Sequence, residues 1–153
     1  MGAKHELGLI RKARIRLAGQ LSKIRVLLAD DHPGFTQIVE SLLGSAYEVT
    51  GSVSNGRSLI EAAMKTLPDI IVTDVSMPIL NGIDAAIQLK NSSCKAKIVF
   101  LSVHSDPEFV QACLSIGALG YVIKTQMATE LMPAIQEALA GRVFVSPGLS
   151  HLN

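Results

Sequence analysis

The sequence predicts a doubly wound α/β domain, because five short apolar bursts alternate with five helical patterns and ionisable side chains gather just past the bursts. The bursts are IRVLLA (24–29), YEVTGSV (47–53), DIIVTD (69–74), KIVFLSV (97–103) and GYVIK (120–124). Strands that are apolar along their length need cover on both faces, and strict β/α alternation supplies it. The expectation is a five-stranded, mostly parallel sheet flanked by five helices.

Each helix has its own signature. After the first burst, Phe35, Ile38, Val39, Leu42 and Leu43 fall at the spacing of one buried helix face. Leu59, Ile60, Ala63, Met64 and Leu67 mark a second helix, and Ile83, Ala86 and Ile87 a third. Phe109, Val110, Cys113 and Leu114 mark a fourth, and Ala128, Leu131, Ile135, Ala138 and Leu139 a fifth. Pro33 and Pro107 suit first-turn positions, and Ser105 with Glu108 has capping-box spacing. Gly141 suits the end of the last helix, and Pro133 is read early in it, where a missing N–H costs least.

At 153 residues the chain fits one domain with a proper core, and no apolar run approaches the length that crosses a bilayer. Cys94 and Cys113 form no C-x-x-C pair, which argues against a disulfide framework or zinc site and for a reducing cytoplasm. Cys113 is expected in the core and Cys94 as an exposed loop thiol.

The net charge of +1 is uneven. Residues 1–23 carry six basic side chains against Glu6, while the rest carries eight basic and twelve acidic residues. The body therefore lacks the basic patch that nucleic-acid binding needs. Leu7, Ile10, Leu17 and Leu21 lie at roughly helical spacing among arginines, but residues 1–23 are read as a frayed basic extension, with 24–145 as the domain and 146–153 as a tail or the start of a linker.

The chemistry lies at the strand ends. The first burst ends in Asp30 and Asp31, the third in Asp74, the fourth in Ser102 with His104 just beyond, and the fifth in Lys124. In doubly wound sheets ligands gather at the carboxyl ends of strands, so these groups are expected in one site. Three carboxylates with a hydroxyl and an ammonium suit a hard divalent cation, Mg2+ above all, because it prefers oxygen ligands. A carboxylate beside Mg2+ and a lysine can attack a phosphoryl group, whose spreading charge both cations neutralise.

The acidic pair DD, the segment DVSMPILNG after the third burst, LSVH at the fourth and GYVIK at the fifth closely resemble the receiver domain of bacterial two-component response regulators. The resemblance covers residues 24–145 and implies the flavodoxin-like strand order 2-1-3-4-5. It implies Asp74 as the acceptor of a phosphoryl group from a sensor histidine kinase. Asp31, Asp74 and the backbone carbonyl of Ser76 would hold Mg2+, with Asp30 acting largely through water. Lys124 would pair with the acyl phosphate, Ser102 would swing inward, and Tyr121 would follow it. By the same resemblance, Ser76 and His104 would occupy the two variable positions that in this family tune loss of the phosphoryl group to water. Receivers commonly place proline after this lysine; here Thr125 follows, which leaves both isomers of the Lys124–Thr125 peptide open.

Within the family, VLLADDHPGF, SMPILNGIDA, SVHSD and GRVFVSP look like regulators bearing a C-terminal helix-turn-helix of the LuxR/FixJ kind. The expected output is transcription through a domain absent from this chain, with receivers pairing on phosphorylation and no contact to membrane or nucleic acid by these residues. A stand-alone receiver acting through partners is the alternative.

Singly, each residue has an ordinary reading: Asp30 or Asp31 as a helix cap, Lys124 as a solvated lysine, His32 and His104 as surface histidines. Met77, Pro78, Asn81 and Gly82 read as a shaped turn holding Asp74, with glycine supplying left-handed backbone. A haloacid-dehalogenase-type phosphohydrolase would need an Asp-x-Asp nucleophile pair on the first strand. A flavodoxin-like module would need a phosphate loop where this chain puts two aspartates.

Overall fold

The computed structural model describes the backbone of residues 13–16 and 20–152 and the side chains of residues 23–149. In chain order the elements are β1 (Ala13–Arg16), β2 (Gln20–Ala29), α1 (Pro33–Leu43), β3 (Tyr47–Val53), α2 (Gly56–Thr66) and β4 (Ile70–Thr73). They continue as α3 (Gly82–Asn91), β5 (Lys97–Ser102), α4 (Pro107–Ser115), β6 (Gly120–Ile123), α5 (Met127–Leu139) and β7 (Phe144–Val145).

All five predicted strands and helices are present. The parallel sheet runs β3-β2-β4-β5-β6, which is the expected order 2-1-3-4-5. A sixth strand, β7, joins in parallel beyond β6, and β1 pairs antiparallel with Gln20–Lys23 of β2. The sequence reading missed both because β7 has two residues, too few to show a period, and β1 lies in the segment assigned to the extension. Leu7, Ile10 and Leu17 lie outside the described residues. Among the described residues no helix is long and apolar enough to cross a membrane.

The strands read as continuous apolar runs because alternate residues serve two cores. Ile24, Val26 and Leu28 of β2 face a layer built from α1 and α5, including Val39, Leu43, Leu131 and Ile135. Leu27 and Ala29 face the opposite layer with α2, α3 and α4, including Leu59, Ala85, Leu89 and Val110. Cys113 is buried there as expected, whereas Cys94 is half-buried rather than exposed, since its amide bonds to Leu89 O (3.0 Å) and turns the chain inward.

Several end signals resolve differently from the sequence reading. Neither Asp30 nor Asp31 caps α1: His32 is the N-cap, without a side-chain cap bond, and Asp30 Oδ1 accepts from the His32 amide at 2.9 Å. Pro107 opens α4, which makes Asp106 its N-cap, so the Ser105–Glu108 box does not form. Pro133 lies in the second turn of α5 rather than the first, on its exposed side, where water can serve the carbonyl that proline leaves unbonded. The Lys124–Thr125 peptide is trans, and a 3-10 turn over Lys124–Gln126 leads into α5.

The turn after β4 is shaped by close approach. Ile79, not Gly82, takes the left-handed conformation (φ 71°). Gly82 begins α3 against the backbone of Asp74: a Cβ there would sit 1.9 Å from Asp74 O. Asn81 caps the helix by accepting from the Asp84 amide at 2.8 Å.

Gly82→Ala is therefore expected to destabilise the fold by about 2 kcal/mol or more, as overpacking against backbone does. Gly34→Ala, with nothing within 4 Å of the added Cβ, is expected to be neutral or to stabilise by about 0.4–1 kcal/mol. Urea unfolding of both variants checks this contrast, and equal midpoints would contradict it.

Candidate functional site

Register brings the strand ends level. Ala29 pairs with Thr73, Thr73 with Phe100, and Ser102 with Ile123. The next residues out are Asp30, Asp74 and Lys124, so groups far apart in sequence emerge at one end of the sheet. Asp30, Asp74, Ser102 and Lys124 are buried.

The Lys124 ammonium lies 2.6 Å from Asp30 Oδ2 and 2.9 Å from Asp74 Oδ2, and 4.0 Å over the centre of the Phe35 ring. Burial alone would lower its pKa, but hydrogen bonds to Asp30 and Asp74 and their charges more than offset this, so the net direction is upward. The other oxygen of Asp74 accepts from the Val75 amide at 2.7 Å and more weakly from the Ser76 amide at 3.4 Å. Asp74 is thereby fixed from both sides.

Asp30, Asp31, His32 and Asp74 bring ligand atoms within 4.8 Å of one another. His32 Nδ1 lies 3.2 Å from both Asp30 Oδ1 and Asp31 Oδ1. One ring nitrogen carries at most one proton, and the hydrogen bond is made with Asp30. Asp31 Oδ1 is left buried, without a hydrogen-bond partner among the described residues. Three carboxylates with one lysine between them, and one orphaned carboxylate oxygen, fit a hard divalent cation held through oxygen. A shallow groove of about 400 Å³, lined by Asp30, Asp31, Thr36, Ser54 and Ser58 among others, opens beside the acidic pair.

On the other side, Ser76 Oγ and His104 Nε2 are 2.9 Å apart. The His104 ring stacks on Phe109, with centroids 4.4 Å apart. The His104 amide donates to Ser102 Oγ (3.0 Å), and the Tyr121 hydroxyl donates to the His104 carbonyl (2.7 Å). Tyr121 is fully buried, and burial pushes its phenol up to about 12 against the opposing effect of a hydrogen bond with Ser102.

Every residue that the sequence singled out at the strand ends comes to this end of the sheet. Three contributors were missed. Phe35 was read only as a helix face, yet its ring lies under the lysine. His32 reads as a surface residue and is exposed, yet its nitrogen is turned onto the acidic pair, a placement that its position next to Asp31 could have suggested. The amides of Val75 and Ser76 leave no trace in residue identity.

This fold sets an acidic pocket and a buried lysine at the carboxyl ends of a parallel sheet, where doubly wound α/β domains gather their ligands. Residues 26–136 match the response regulator receiver domain, and the chain belongs to that family. It is 36% identical over 127 residues to the nitrate/nitrite response regulator NarL of Escherichia coli, covering 82% of this chain and 59% of that protein. It is 31% identical over 132 residues to the transcriptional regulatory protein DegU of Brevibacillus brevis, covering 85% and 56%. Among solved structures it matches a LuxR-family two-component response regulator from Aurantimonas at a TM-score of 0.79 and 30% identity, covering 83% of this chain and 92% of that one. The receiver domain of NarL from Mycobacterium tuberculosis matches at 0.74 and 30%, covering 78% and 98%. The chain spans less than two thirds of the length of these curated relatives. The family membership sets aside the dehalogenase-type and flavodoxin-type readings.

The two tyrosines provide a test of the burial on which this geometry depends, since the chain has no tryptophan. Burial raises the Tyr47 phenol and takes Tyr121 to about 12. Unfolded tyrosines ionise near about 10, so the stability contributed by neutral buried phenols is whole below that pH and lost as pH rises toward the folded values. The phenolate absorbance of native protein is expected to appear at higher pH than that of urea-unfolded protein. Coincident titrations would show that neither ring is buried as described.

Proposed function

We propose that this chain accepts a phosphoryl group on Asp74 from a phosphohistidine of a sensor histidine kinase, and that it works as a signalling switch rather than as an enzyme that turns over. The observation that carries the reading is the buried Lys124 ammonium held between Asp30 and Asp74 at 2.6 and 2.9 Å. In the transfer, a carboxylate oxygen of Asp74 forms the new O–P bond as the N–P bond of the donor breaks. The bonding electron pair stays on the donor imidazole, which takes its proton from solvent.

The proposed roles of the surrounding residues are supported by their placement. Lys124 is positioned to pair with the phosphoryl oxygens, and Val75 and Ser76 hold the acceptor carboxylate through their amides. Asp31, Asp74 and the Ser76 carbonyl are the proposed ligands of Mg2+, with Asp30 reaching it largely through water. When bound, the ion neutralises charge on the transferring group.

Ser102 and Tyr121 are the proposed switch pair, both now tied to His104. The Ser76–His104 contact stands beside the acceptor and is the proposed control on hydrolysis of the acyl phosphate. DegU and the similar MctR of Rhizobium johnstonii are named as transcriptional regulatory proteins, which supports a cytoplasmic regulator whose output is a DNA-binding domain, with receivers pairing on phosphorylation.

Acetyl phosphate with Mg2+ is expected to add the mass of one phosphoryl group to the protein and none to Asp74→Ala, and chelation of the metal is expected to suppress labelling. Equal labelling of the variant would sink the assignment. Asp31→Asn is expected to weaken Mg2+ binding by about tenfold or more, because a hard ion loses a charged oxygen ligand. Calorimetric titration reads this directly, and an unchanged affinity would remove Asp31 from the ligand set.

A further inference from the structure

Lys124 is the first residue beyond β6 and already belongs to a 3-10 turn, so its backbone sits where a strand gives way to irregular chain. Something must fix that junction if the ammonium is to stay between two carboxylates. The groups that do so come from residues that the sequence reading placed in a tail and on the last helix.

Ser146, 1% exposed, follows β7 directly. Its amide donates to Tyr121 O at 2.9 Å. Its hydroxyl oxygen accepts from the Ile123 amide, also at 2.9 Å, standing in for a backbone carbonyl where the chain turns off at Pro147. The same hydroxyl donates to Glu130 Oε1 in the first turn of α5. Donation to a carboxylate polarises the hydroxyl and makes its oxygen a better acceptor for the Ile123 N–H. One side chain thus ties β6, β7 and α5 together, one residue before the lysine. Leu149, beyond it, is buried in the same apolar layer as Tyr121 and holds the segment in place.

We propose that Ser146 and Glu130 are positioning residues for Lys124, clamping the end of β6 so that its ammonium stays in register with Asp30 and Asp74. The proposal rests on the phosphoacceptor reading for its consequence, but not for its geometry. Alanine at 146 leaves the Ile123 N–H without its acceptor and frees the strand end to shift. Small displacements of a charge-stabilising group are expensive for group transfer, so labelling by acetyl phosphate is expected to slow about tenfold or more.

The test pairs that rate with a spectroscopic signature of lysine placement. The Lys124 nitrogen lies 4.0 Å over the Phe35 ring, so the ring current displaces the ε-methylene resonance of Lys124 in protein labelled with carbon-13 lysine. Ser146→Ala is expected to return this resonance toward an ordinary lysine position and to slow labelling together. Glu130→Ala is expected to move both in the same direction by less, and Glu130→Gln, which still accepts from the hydroxyl but without the charge, to move both by less again. Circular dichroism under the labelling conditions confirms that each variant is folded; if Ser146→Ala is not, Glu130→Ala carries the test.

An unmoved lysine resonance in the folded alanine variant overturns the proposal, whether or not labelling slows, because the effect then does not pass through Lys124. A moved resonance with an unchanged rate overturns it as well. Failure of the unmodified protein to be labelled at all would strike the phosphoacceptor reading instead, and the resonance would still decide whether the clamp exists.

Discussion

The interaction on which the site depends is the buried ammonium of Lys124 between the carboxylates of Asp30 and Asp74. Charges taken out of water survive only if they are paired and hydrogen-bonded, and removing one member of such a set leaves an uncompensated charge. Here the pairing is incomplete by design of the residue set. Lys124 meets two carboxylates, Asp31 adds a third, and one buried oxygen of Asp31 has no hydrogen-bond partner among the described residues, with only His32 Nδ1 nearby at 3.2 Å. The pocket is therefore held together by its lysine and yet remains electron-rich, which is the state a divalent cation can complete.

The fold supplies this arrangement through register rather than through local sequence. Parallel pairing sets Ala29 against Thr73 and Ser102 against Ile123, so that the residue after each strand arrives at a common level. The two apolar layers fix the sheet from both faces. Gly82 then lets α3 start against the Asp74 carbonyl, where any side chain would collide. A bulkier residue at that position would push on the backbone that carries Asp74.

Much of this was legible in the sequence because it is carried by periodicity and by residue type. The bursts and the helical spacings placed five strands and five helices, and strand-end ionisable groups pointed to one pocket. What escaped was carried by geometry that residue type does not encode. The two residues of β7 show no alternation, and Ser146 is an unremarkable serine until its hydroxyl is seen to replace a ladder carbonyl. Gly82 was expected to supply a left-handed turn. The β-branched Ile79 takes that conformation instead, and glycine is needed for space. His32 shows the limit most simply, since exposure and a turned ring nitrogen are compatible and only coordinates reveal the second.

The contacts around Asp74 close into a ring, which, on the proposed phosphoacceptor reading, offers a route by which one covalent change could be felt across the domain. Asp74 bonds Lys124 at the end of β6, and β6 carries Tyr121. The Tyr121 hydroxyl bonds the His104 carbonyl, the His104 ring meets Ser76, and the Ser76 amide returns to Asp74. An open chain of contacts could absorb a new charge at its first link by letting one side chain swing into solvent. Tyr121 and Lys124 are buried whereas Ser76 is exposed and His104 half-buried, so, on the proposed phosphoacceptor reading, a new charge would act chiefly through the buried arm of the ring. Because β6 is paired on both edges, by β5 and by β7, any such proposed shift of β6 would be passed through backbone hydrogen bonds to the chain beyond α5.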